Sequence, residues 1–373
     1  MFRFHTTLAC GAIALASPAA ADDLCAKALT ALGPSAAPLA CTGTPAGIAI
    51  APDIERADRL SRLGEAGEAR FKTYFGRDTP LYVVLEATEL AGAPNPKAAL
   101  EAVGFERVLV WSSQEEHVRQ ITAATRASAE AAARRQGLDE AKIAAVADQA
   151  VAARRPGRLT LDAREAQVVP HELGHGWFVK AFWPDYQPAA QDHYGGPGPD
   201  WLDEIAAMLM EDGDGAEERR KVFRAVYQGR AGGALSTFPV ANLIDLPRFL
   251  SREHPAQASP DIRPDDMPAG GAVGMRIIDS NDPEAMTRVL EAALYYPQGR
   301  MFADFLLDRT GAPQVFKAIA EALAQGDSFE DWLSMQGSTH QLPESMVGLD
   351  TAWREWLTVR FGPPSAGPSQ DIG

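Results

Sequence analysis

The spacing of apolar positions changes near the middle of this chain. Leu81-Tyr82-Val83-Val84-Leu85 and Phe105-Glu106-Arg107-Val108-Leu109-Val110-Trp111 are short branched and aromatic runs, which predict strands. Ser112-Ser113-Gln114-Glu115-Glu116 then offers a capping box for an alanine-rich, charged helix reaching about Arg135. After Gly137 a second helix is expected from Asp139 to Arg155, solvated on one face, with Arg134, Arg135, Arg154 and Arg155 as surface charges. Pro156-Gly157 turns the chain into Arg158-Leu159-Thr160-Leu161-Asp162, read as a short strand.

From there the period becomes helical. Val168, Val169, Leu173, Trp177 and Phe178 recur three to four apart, the pattern of a buried helix. Pro170 fits only the first helical turn, where its missing N–H costs nothing, so the helix should start near Gln167 and stop before Pro184. Pro199 to Leu209 reads as another helix, capped by Asp200 and packed through Trp201, Ile205, Met208 and Leu209. Further short amphipathic helices follow: Phe302 to Gly311, closed by its glycine, then Ala318 to Gly326, Ser328 to Trp332 and Leu349 to Leu357.

The first of these helices carries chemistry. His171-Glu172-Leu173-Gly174-His175 places two imidazoles four residues apart, so on a helix they leave one face and can converge on one tetrahedral ion. Glu172 follows the first histidine, so its carboxylate can reach a water activated by that ion without itself ligating, as a general base must. A catalytic site of this type needs a third protein ligand. The candidates downstream are Asp192, His193, Asp200, Asp203 and Glu204, and Glu204 stands out because its helix can pack on the histidine helix and present a carboxylate inward. A metzincin extension is excluded, since Phe178 and Ala181 occupy the positions of its glycine and histidine. Asp192-His193-Tyr194-Gly195 lacks the spacing of an aspzincin, which leaves His193 a loop residue near the cleft.

The order H-E-x-x-H, then Trp201-Leu202-Asp203-Glu204-Ile205-Ala206-Ala207, resembles the gluzincin group of zinc metallopeptidases in the peptidase MA-like superfamily. The resemblance runs from near residue 158 to near 361. It implies a zincin-like α+β fold: a small N-terminal mixed sheet with the active-site helix, then a mostly α-helical lobe. It also implies one Zn²⁺ held by His171, His175 and Glu204, with Glu172 as base. Tyr296, in Leu294-Tyr295-Tyr296-Pro297-Gln298-Gly299, matches the tyrosine that supports the oxyanion in such enzymes, and Leu159 to Leu161 is the candidate edge strand for an extended substrate. The chain departs from the pattern at Ile205, where aminopeptidases carry glycine, and at Met208, where thermolysin-like members have an aspartate that orients a ligand histidine. That histidine's partner is therefore unassigned. No G-x-M-E-N-like segment for a substrate amino terminus is found, which favours an endopeptidase.

Composition sets the setting. The 373 residues are 46% hydrophobic, ample for one large core or two lobes. Net charge is −15 with no basic stripe, which argues against nucleic acid as a partner but does not identify a substrate; a peptide or protein substrate is what the resemblance implies. Met1 to Ala21 reads as a secretory signal peptide whose apolar run is too short to span a bilayer, so a periplasmic or secreted protein without stable membrane insertion is expected. In an exported chain the remaining pair, Cys25 and Cys41, predicts one disulfide, contributing roughly 3 kcal/mol by loop length.

The resulting division is 1–21 signal, 22–162 N-terminal α+β region, 163–362 helical metallopeptidase region and 363–373 disordered tail. His254 and His340 read as solvated loop residues, and Ser259 to Gly271 as a connector or flap. Two rival functions stay open: a zinc hydrolase acting on a non-protein amide, and a binding or scaffold protein that keeps the fold. Glu172 counts against the second, because a pure binder needs no base beside two ligand histidines.

Overall fold

A computed structural model describes residues 18–86, 95–154, 156–186, 196–254 and 283–365. Most of the leader, Asp192 and His193, the segment from Ser259 to Gly271 and most of the tail lie outside the described residues. The chain opens with helix α1 (Pro18–Leu32), strands β1 (Ala40–Gly43) and β2 (Gly47–Ala51), helix α2 (Ile54–Phe75), β3 (Tyr82–Glu86), α3 (Pro96–Ala102) and β4 (Arg107–Trp111). These strands form one mixed sheet in the order β1-β2-β3-β4, with β1 antiparallel to β2 and the remaining pairs parallel. The strands expected at 81–85 and 105–111 are therefore present, as β3 and β4.

Because strand side chains alternate in direction, the sheet has two buried faces. Ile48, Ile50, Val83, Leu85 and Val108 join Ala28 and Leu32 of α1 and Leu100 of α3 in one cluster. Ala49, Ala51, Tyr82, Val84, Leu109 and Trp111 face the main core instead, with Leu60, Phe71 and Phe75 of α2. A disulfide joins Cys25 of α1 to Cys41 of β1, as expected from the cysteine pair. The sheet and the helices after it make a mixed α/β protein, and no described helix is long and apolar enough to cross a membrane.

A helical hairpin follows, α4 (Gln114–Arg135) and α5 (Glu140–Arg154), with Ser113 capping α4 through the Glu116 N–H. Next comes α6 (Arg158–Phe182), and here two expectations fail. Arg158 to Asp162 is not a strand but the first turn of α6, and Pro170 lies inside the helix rather than at its start. An internal proline costs about 3 kcal/mol. What holds the turns before it is Glu165, a buried carboxylate gripped by Arg56, Arg59, Gln114 and Trp111, while Arg59 also binds the Asp162 carbonyl at 3.0 Å. Tertiary ion pairing thus overrides the local break. Val169 just before Pro170 and Leu173, Trp177 and Phe178 after it fill the core as their spacing requires.

The remaining helices are α7 (Asp200–Leu209), α8 (Gly213–Tyr227), α9 (Val240–Leu243), α10 (Leu246–Ser251), α11 (Pro283–Thr310), α12 (Val315–Ala324), α13 (Phe329–Gln336) and α14 (Met346–Phe361). Every residue of α7 is buried, polar ones included. It packs on α6 and α11, and Gly174 sets how closely: a Cβ there would lie 3.0 Å from the Ala207 Cα and 2.8 Å from the Met210 Cγ. The glycine therefore makes room for the α7 backbone.

Candidate metal centre

Helix α6 presents His171 and His175 on one buried face, and α7 brings Glu204 against them. The two Nε2 atoms are 3.2 Å apart, and Glu204 Oε2 lies 3.5 Å from that of His171 and 3.8 Å from that of His175. Behind the rings stand two more carboxylates. His175 Nδ1 meets Asp203 Oδ2 at 2.7 Å, and His171 Nδ1 meets Glu211 Oε1 at 2.8 Å. Glu211 is held in turn by a two-point contact from Arg219.

This arrangement fixes the protons. A carboxylate only accepts, so each imidazole carries hydrogen on Nδ1 and turns Nε2 inward, where it offers a lone pair once any proton there has left. Glu204 Oε2 is buried and accepts no hydrogen bond among the described residues. Two lone pairs and a carboxylate oxygen in contact repel one another unless positive charge lies among them. Around tetrahedral zinc, with bonds of about 2.0–2.1 Å, neighbouring ligand atoms lie roughly 3.4 Å apart, within the range of the observed separations. His171, His175 and Glu204 are thus positioned to bind a metal ion.

Titration follows the same logic. Burial alone would lower the His171 pKa, but contacts with Glu204 and Glu211 outweigh it and raise it to about 9. Burial would likewise raise the Glu204 carboxyl, yet His171, His254 and His175 hold it far below its ordinary range. In the metal-free protein a proton supplies the positive charge, and a metal must displace it.

Glu172 follows His171 directly and is half-buried. Its carboxylate makes no hydrogen bond to a described residue, whereas its backbone carbonyl accepts from Arg107 of β4 at 2.5 Å. That bond ties the edge strand of the sheet to the ligand helix. Tyr296 of α11 also reaches the cluster: its hydroxyl lies 3.5 Å from Glu204 Oε1, and the Arg219 guanidinium sits 5.0 Å from its ring centre. Tyr295 is fully buried instead, its ring packed on Phe249. Of the two tyrosines, Tyr296 borders His171 and Glu204.

No protein-family model, curated protein or solved structure matches this chain.

Several residues differ from their expected places. Asp200 does not cap α7; Pro199 is the N-cap, and Asp200 Oδ2 accepts the His254 backbone N–H at 2.5 Å. His254 is not solvated: it is buried, with Nε2 3.0 Å from Glu204 Oε1 and 3.1 Å from the Tyr296 hydroxyl. His340 is half-buried, its ring 5.4 Å from that of Trp332. Met208 is apolar packing, its Cε against Gly299, and the orienting carboxylates come from Asp203 and Glu211 instead. Asp203 adjoins Glu204 and Glu211 follows seven residues on, so acidic neighbours of the third ligand were the available signal.

Proposed function

We propose that this protein is an exported, zinc-dependent metallopeptidase of gluzincin type, with a zincin-like fold and an endopeptidase's access to extended chains. The supporting observation is the convergence of the His171, His175 and Glu204 donor atoms, with Glu172 on the same turn of α6. When bound, zinc, suited to two imidazoles and a carboxylate, supplies a Lewis acid that polarises a carbonyl and makes water more acidic. Glu172 takes the proton from the attacking water and delivers it to the leaving amine. The Tyr296 hydroxyl donates to the substrate carbonyl oxygen as charge develops there, which is worth roughly 3 kcal/mol of barrier. With Leu159 to Leu161 in a helix, the strand available to align an extended peptide or protein substrate is β4, an edge of the sheet joined to Glu172 through Arg107. The Cys25–Cys41 bridge supports export, since such bonds persist in oxidising compartments.

The test combines metal analysis with a cleavage profile of a peptide library. Wild type should hold one equivalent of zinc and cleave, while Glu172→Gln should retain the metal and lose roughly 100-fold or more of turnover. Unchanged hydrolysis in that variant overturns the base assignment. A purified wild-type protein that takes up no metal overturns the whole reading.

A further inference from the structure

We infer that His254 is a positioning residue for the metal centre, restricting Glu204 to ligation through one oxygen and holding the Tyr296 hydroxyl beside it. The inference rests on the metal-binding part of the reading above and not on peptide hydrolysis. Glu204 divides its two oxygens between different neighbours. Oε2 faces the Nε2 atoms of His171 and His175 and accepts no hydrogen bond among the described residues, whereas Oε1 lies 3.0 Å from His254 Nε2 and 3.5 Å from the Tyr296 hydroxyl. A carboxylate has no hydrogen to give, so the proton in the shorter contact belongs to His254 Nε2. The contact holds Oε1 on the His254 side and leaves Oε2 as the oxygen nearer both Nε2 atoms, which favours ligation through Oε2.

The ring is itself well anchored. It packs edge-on to Tyr295 and Tyr296, at 5.5 and 6.0 Å between ring centres, and its backbone N–H is bonded to Asp200 at the start of the helix that carries Glu204. Side chain and backbone of His254 therefore grip α7 at two points, one turn apart. The same Nε2 lies 3.1 Å from the Tyr296 hydroxyl, so one buried group sets the position of a ligand and of the tyrosine on α11. A three-ligand ion with a one-oxygen carboxylate keeps a coordination position open for water, the condition that separates catalytic from structural sites.

Co²⁺ serves as the probe, because its visible d–d absorption is intense when four-coordinate and weak at higher coordination. Metal-free wild type, His254→Ala and His254→Gln would be titrated with Co²⁺ against a competing chelator, with thermal melts alongside. The Gln amide can donate from nearly the place of Nε2. The expected result is a loss of about 10- to 100-fold in affinity and a weakened band in His254→Ala, both largely restored in His254→Gln. Wild-type affinity and spectrum in His254→Ala overturn the inference alone. Equal losses in both variants also overturn it, by showing that the ring matters as packing; should His254→Ala fail to fold, a wild-type-like His254→Gln supports the inference and a defective one overturns it. Failure of the wild type to bind Co²⁺ overturns the metal reading itself.

Discussion

Asp203 and Glu211 would act on a bound metal only through the histidines they face, and that makes them informative. Each fixes a ring by its Nδ1 hydrogen, so removing either frees one imidazole to rotate or change tautomer. Asp203→Ala should weaken metal binding by about 10- to 100-fold in chelator competition, and wild-type affinity would show that packing alone orients His175. At this scale the ligands were legible because the pattern is local: two histidines four apart share a helix face, and a carboxylate on the following amphipathic helix faces inward. His254 was not legible. It follows α10 and meets Glu204 only because α7 and α11 converge there, which no window of neighbouring residues records.

Between elements, the contact that matters most is α6 against α7, and Gly174 governs it. A methyl group at this position would press on the Ala207 backbone and the Met210 side chain, moving the helix that carries Glu204. Gly174→Ala would ordinarily favour a helix by about 1 kcal/mol; here it should lower both the melting temperature and metal affinity. An unchanged affinity would mean that α7 tolerates the shift. The early turns of α6 show why the strand expected at Arg158 to Asp162 failed. Five residues that suggest a strand carry no information about Glu165 and its partners on α2, β4 and α4, and those partners decide the conformation.

Across the whole molecule, one buried ion group joins the C-terminal helices. Asp304 of α11 binds Arg220 of α8 at 2.6 and 2.9 Å and Arg300 of its own helix at 2.6 Å. Burial alone would raise its carboxyl, but the two arginines hold it below the ordinary aspartate value of about 3.9. A group depressed on folding stabilises fully above its unfolded pKa and loses that contribution as pH falls through the folded one. Asp304→Asn should therefore cost on the order of 3 kcal/mol near neutral pH and flatten the acid side of the stability curve below about pH 4, as urea midpoints across pH would show. An unchanged midpoint at neutral pH would mean that the arginines find other partners. The division into an N-terminal sheet and later helices was legible from the change in apolar period. The first two strands and α2 were not read, because alanine- and glycine-rich β1 and β2 give little hydrophobic contrast.

The chain positions of the metal-centre residues also bear on how the protein is made. His171 and the carboxylate behind it, Glu211, are only 40 residues apart, whereas Glu204 and Tyr296 are separated by 92. Contacts between near residues close faster than those between distant ones. On a growing chain, α6 and α7, which carry the three residues positioned to bind an ion, are synthesised and can pair well before α11 emerges. The residues placed to bind a metal are therefore made well before Tyr296, and a chain shortened ahead of α11 would test whether they take up an ion without it.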